Sequence, residues 1–218
     1  MTISAAEESL FAEWRLDRQG FVADGVVDED SYRARAPKLL FVMKEVNDPG
    51  GGDWDLRQFI AEGARPQTWD NITRWVQGIK RLPAETPWQQ LEEVSEENRR
   101  TTLRSIAAIN LKKSPGGHTT DNKALWGISG ADKGYLNKQF ALYDPDITIC
   151  CGSVTSNILH GLVDFATAPK WQMTTRGVWF HEPAPGKFII SYAHPEARVA
   201  DCLLYYGVVD AIREIRGD

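Results

Sequence analysis

The chain has 218 residues, of which 42% are hydrophobic and eight are Trp; a chain of this length suits one large domain with a sizeable core. The formal net charge of −5 excludes a protein that coats nucleic acid through an overall basic surface. It leaves room for an enzyme that meets DNA through one local basic face. The opening MTISAAEESLFAEW is acidic and amphipathic, without the basic start and apolar run of a signal peptide. No stretch approaches the roughly 20 apolar residues of a membrane span. Cys150, Cys151 and Cys202 give no disulfide framework. The expectation is a cytoplasmic monomer with reduced thiols and no membrane partner.

Leu10, Phe11, Trp14 and Leu16 sit near helical spacing and predict a helix over residues 4–19. KLLFVM (38–43) is a continuous apolar run, suited to a strand covered on both faces. It ends in KEVNDPGGGDWD, where Pro and three glycines forbid regular structure. Residues 54–80 read as two helices broken at Gly63 and Pro66. Ser95 opens the next helix as N-cap, with Asn98 where a capping box would place Glu. IAAINL (106–111) is a second apolar strand, followed by the turn-rich KKSPGGHTTDN. A helix over 132–143 precedes ITICC (147–151), the third strand, and Ser153 is the expected N-cap of the helix after it. TTRGVWFHEPAPGKFIISYA reads as a short strand, a turn and a fourth strand at 188–193. The segment from His194 onward reads as a long amphipathic helix.

Alternating apolar runs and helices predict an α/β fold: a three-layer αβα sandwich around a mostly parallel four-stranded sheet. The whole chain, 1–218, is then one domain, with residues 1–35 as an N-terminal helical extension. Ligands in such sheets bind beyond the carboxyl ends of the strands. Polar or glycine-marked segments follow three of them, at Glu45–Asp48, Asn110 and His194.

Four blocks in order carry a resemblance across roughly residues 38–200. These are LLFVMKEVNDPGG, AAINLKKSPGG, DPDITICCGSVTSNILHG, and RGVWF with FIISYAHPEARV. Together they resemble the uracil-DNA glycosylase superfamily. The chain departs from the pattern at four points. Lys44 replaces the first motif's glycine. Val46 stands where the water-activating Asp or Asn usually lies. Glu196 replaces the serine of the His-Pro-Ser motif. Three cysteines cannot supply the four thiolates of the iron–sulfur branches. The substrate is therefore open between uracil and an altered base, and no metal, cluster or other cofactor is implied.

The resemblance implies a monofunctional DNA glycosylase that flips a base and hydrolyses its glycosidic bond. His194 would donate to the base oxygen where charge develops, a contribution of roughly 3–4 kcal/mol. Asn110 would read the base's pairing edge, since its amide offers a donor and an acceptor. Glu45, Asn47 and Asp48 compete to position water or oppose the sugar cation, with Glu45 or Asn47 preferred and Asp48-Pro49-Gly50 equally readable as turn chemistry. Trp54 is the candidate to stack on the base, worth about 1–3 kcal/mol. Lys112, Lys113, Ser114, Gly116 and Gly117 would hold DNA phosphates. Arg198 lies where relatives insert a wedge.

Other residues carry blander readings. Cys150 and Cys151 read as packing residues. His118, His160 and His181 lack metal-ligand spacing. Lys44 as a Schiff-base lysine is weakly indicated. Two further functions remain open: a non-catalytic nucleic-acid or nucleotide binder of the same fold, and a small-nucleoside hydrolase.

Overall fold

The computed structural model describes residues 1–34, 36–117, 119–165, 168 and 170–218. The three five-residue apolar runs form β2 (Leu39–Met43), β3 (Ile106–Asn110) and β4 (Ile147–Cys151), each buried along its whole length. Such strands have no solvated face, so they occupy the middle of a sheet. β2 pairs in parallel with β3 on one side and β4 on the other, and β4 pairs in parallel with β7 (Lys187–Tyr192).

The sheet is larger than the four strands predicted. It has seven strands among the described residues, in the order β1-β3-β2-β4-β7-β6-β5. The additions are antiparallel. β1 (Gly25–Val26) lies on β3, while β6 (Trp179–Ala184), where the sequence reads a short strand before the turn, and β5 (Gln172–Met173) extend the sheet beyond β7. Two-residue strands carry no readable periodicity, which is why β1 and β5 escaped the sequence pattern. The segment over 1–35 is accordingly more than a helical extension, because it contributes β1.

The period-2 alternation of strand side chains divides the core. Phe41, Ala108, Ile149 and Ile190 face Ile72, Trp75, Val208 and Ile212, from α4 (Pro66–Arg81) and α9 (Asp201–Arg216). Val42, Ile109, Cys150 and Ile189 face Phe11, Leu136 and Leu159 on the other side. Those residues come from α1 (Ile3–Trp14), α7 (Lys133–Tyr143) and α8 (Ser153–Leu162). Cys150 and Cys151 are buried on opposite faces, and burial pushes the Cys151 thiol up to about 12 and raises Cys150 too. They are packing residues.

Helix boundaries follow local chemistry. Ser95 caps α5 (Glu96–Leu103) through the Asn98 amide at 3.1 Å, as predicted, and Pro66 opens α4 after the break at Gly63. Two N-termini differ from prediction. α8 has Gly152 as its N-cap, with φ of 111°, where a side chain would be strained. α9 begins at Asp201 and not near His194, because Ala197 N–H turns back to the His194 carbonyl at 2.9 Å. The sequence pattern also left out α2 (Glu29–Ala34) and α6 (Asn122–Ala131). No helix among the described residues is long and apolar enough to cross a membrane.

Candidate active site

The parallel registers align the strand ends. Met43 pairs with Asn110, Val42 with Cys150, and Cys151 with Tyr192. The chain therefore leaves β2, β3, β4 and β7 on one edge of the sheet. A cavity of about 920 Å³ opens there. Its walls bring together Glu45, Asn47, Asp48, Trp54, Asn110, Gly117 and His194 of the predicted set. Lys112, Lys113, Ser114, Gly116 and Arg198 are not in its lining.

Asn110 is the floor. It is 3% exposed, and its side-chain Nδ2 has no hydrogen-bond partner. A buried amide left unpaired costs about 1–3 kcal/mol, which a bound acceptor would recover. Its backbone is firmly held, the N–H donating to Asp24 Oδ2 at 2.7 Å.

The three competing polar residues separate by their bonds. Asp48 Oδ2 accepts from Gly52 N–H at 3.1 Å and from Trp54 Nε1 at 2.9 Å. A side chain at Gly51 would overlap that carboxylate. Asp48 is thus the staple of its own loop and the anchor of Trp54. Glu45 has a side chain only 6% exposed and an ion pair with Lys112. Its carboxylate lies across Gly116, where a Cβ would overlap it. Asn47 is exposed, and a parallel bridge pairs it with Gly116. Trp54 packs edge-on against Phe59, centroids 5.8 Å apart, and the two rings form an aromatic wall.

His194 sits at the rim. Its Nδ1 accepts the Glu196 backbone N–H at 3.1 Å. An acceptor nitrogen carries no proton, so the neutral ring has its hydrogen on Nε2. Loss of water around the ring lowers its pKa below the usual histidine value; Glu196 opposes that shift and Lys44 adds to it. At neutral pH His194 is therefore an uncharged Nε2–H donor. The turn that carries it is tied down from α4. Asn71 Nδ2 donates to the Pro195 carbonyl at 2.9 Å, and Thr68 bonds Glu196. Asn71 also meets Asp201 and Arg74, which itself binds Asp201 at 3.0 Å.

The predicted phosphate contacts fare differently. Lys113 is a correction: its side chain is fully buried, paired with Asp24 at 2.6 Å, and reaches no phosphate. Lys112 is engaged by Glu45 and by the Pro115 carbonyl at 3.2 Å. Gly116 supplies backbone pairing to Val46 and Asp48, while Ser114 and Gly117 remain partly or fully accessible, and Arg198 is exposed. His118 lies outside the described residues. His160 and His181 meet edge-on with ring centroids 6.3 Å apart and line no part of the cavity, and no group of three or more His, Cys, Asp or Glu among the described residues suits a metal.

Neither family models nor curated proteins match this chain. The site is therefore read from its own chemistry. The sequence reading missed Arg65, Gln67 and Thr68, which form a polar wall, and Ser153 and Val154 at the start of α8. It also missed Asp24. A lone Asp inside the apolar FVADGVV was its signal, since a buried charge requires partners.

Proposed function

We propose that this protein is a DNA glycosylase that hydrolyses the bond between deoxyribose and a flipped, altered base, leaving an abasic site. The observation that carries this reading is the buried, unpaired Asn110 amide on the floor of a large cavity, with the neutral His194 donor on its rim. In this reaction the C1′–N bond breaks, its electron pair passes to the base, and the sugar becomes cation-like. Water adds at C1′, and the proton it releases ends on the departed base. Asn110 hydrogen-bonds the base edge. The His194 Nε2–H stabilises negative charge on a base oxygen without surrendering its own proton. Glu45, its charge balanced by Lys112, opposes the sugar cation and orients water. Asp48 is the weakest of the three candidates, since its Oδ2 holds the loop and Trp54. Asn47 remains the second water-positioning candidate. Trp54 stacks on the base. The reaction so written uses no cofactor.

The cavity volume, about 920 Å³, lies near the top of the roughly 300–1,000 Å³ range of small-molecule sites. This favours an enlarged base, such as a hydroxymethylcytosine with or without a sugar, over bare uracil. Arg65, Gln67 and Thr68 supply polar groups for the added substituent. Phage defence or repair is the matching setting. The test incubates the protein with duplexes carrying uracil, mismatched thymine, hydroxymethylcytosine or glucosylated hydroxymethylcytosine, then cleaves abasic sites with alkali. Strand breaks greatest on the enlarged cytosines are expected. A folded protein that gives none on any duplex overturns the reading.

The net charge of −5 favours a second reading, a hydrolase of free nucleosides. Its activity would be insensitive to salt, whereas activity on DNA should fall steeply as salt rises.

A further inference from the structure

Asn110 closes β3 where its neighbour β1 has already ended, since the β1 pairing reaches only Ala108. Its backbone groups are met on that side by two charges. Asp24 Oδ2 accepts the Asn110 N–H at 2.7 Å, and Lys113 Nζ donates to the Asn110 carbonyl at 3.0 Å. Asp24 and Lys113 pair with each other at 2.6 Å, both fully buried. Gln139 of α7 pins both, donating to Asp24 at 2.9 Å and accepting from Lys113 at 2.9 Å. Asp24's neighbours also hold the aromatic wall. Ala23 N–H donates to the Trp54 carbonyl at 3.1 Å, Leu56 N–H to the Ala23 carbonyl at 2.8 Å, and Val22 N–H to the Lys113 carbonyl at 2.7 Å. A buried ion pair is a poor source of stability compared with packed apolar side chains. This one directs its hydrogen bonds to the peptide groups of Asn110, whose buried side-chain nitrogen has no partner at the cavity.

We propose that the Asp24–Lys113 ion pair is a positioning device that aims the Asn110 amide at the ligand and so sets base selectivity. The inference rests on the base-reading role given to Asn110. In the neutral double variant Asp24→Asn/Lys113→Met, folding is checked by circular dichroism and melting. The ¹⁵N side-chain amide pair of Asn110, assigned by its loss in Asn110→Ala, should shift or broaden while the other Asn pairs stay. On duplexes carrying uracil and 5-hydroxymethylcytosine, kcat/KM for the better substrate should fall by about 10²-fold, the scale of a 1 Å misplacement. The ratio between the two bases should collapse, and adding Asn110→Ala should cause no further loss. Asp24→Ala/Lys113→Met, which lacks the acceptor for the Asn110 N–H, should fare worse than the Asn version. If the double variant fails to fold, Gln139→Leu unpins the pair without removing its charges and is read in the same way. An unmoved Asn110 amide with unchanged selectivity in a folded variant overturns the proposal, as do losses that multiply with Asn110→Ala. If the wild type releases no base, the glycosylase reading falls, while the amide resonances still decide the positioning.

Discussion

At the scale of single residues, the tautomer of His194 makes the sharpest predictions. Its Nδ1 holds the Glu196 N–H, so protonation forces two donors together and breaks the turn. Loss of water around the ring, the largest cause, lowers the pKa, with Glu196 raising it and Lys44 lowering it. The acid limb of the pH–rate profile should therefore fall below the ordinary histidine value of roughly 6.5. Lys44→Met should move that limb up, and Glu196→Gln should move it down. Stability follows the same sign. The unfolded chain binds a proton that the folded one resists, so stability is complete above about 6.5 and declines as pH falls toward the lowered value. His194→Ala should cost about 10²–10³ in kcat, measured on the best duplex substrate, if the ring is the oxyanion donor. His194 and Asn110 were legible in the sequence because each ends or follows a buried apolar run. Lys113 was misread because a lysine beside Lys112 in a Pro-Gly turn gives no sign of a distant acidic partner. Asp24 lies 89 positions away in the chain.

Among the elements, the loop after β2 shows how one carboxylate can be separated from its neighbours. Asp48 holds Gly52 and the Trp54 indole. Asp48→Ala should lower stability by about 1–3 kcal/mol in urea unfolding and raise KM more than kcat, because the stacking wall loosens while Glu45 stays. Gly116→Ala should do the reverse. A Cβ there overlaps the Glu45 carboxylate, so the Glu45–Lys112 pair must shift, and kcat should fall with the melting temperature little changed. The central strands were readable because five consecutive buried apolar residues suit no exposed element. α6 was not. It carries Gly127 and Gly130 within ten residues and follows a turn-rich stretch, so its local signal resembled a loop. Its cap is supplied by Asp121, which accepts from Lys123 and Ala124.

Over the whole molecule, buried charge adds to the hydrophobic packing that joins the sheet to α7. Asp24 precedes β1, Lys113 follows β3 and Gln139 lies on α7. Removing either charge alone, as Asp24→Ala or Lys113→Ala, should destabilise by about 3–5 kcal/mol, and the double substitution by less than the sum, measured by denaturant unfolding. The parallel direction of β2, β3, β4 and β7 was expected from the alternation of apolar runs with helices, but their order was not. Nor was the full width of the sheet, because the edge strands draw their stability from pairing with a neighbour and not from a pattern of their own. The same parallel order gives the molecule two rims, each cross-linked by its own bonds. At the far rim, Lys38 N–H and carbonyl bond the Asp146 side chain and backbone, and Lys187 pairs with Asp144, so the segments entering β2, β4 and β7 are joined. At the cavity rim, Asn47 bridges Gly116, and Gly116 N–H bonds the Val46 carbonyl at 2.9 Å. The loops after β2 and β3 thus move as one piece. At the cavity, a graft of either loop from another protein should succeed only when the other travels with it.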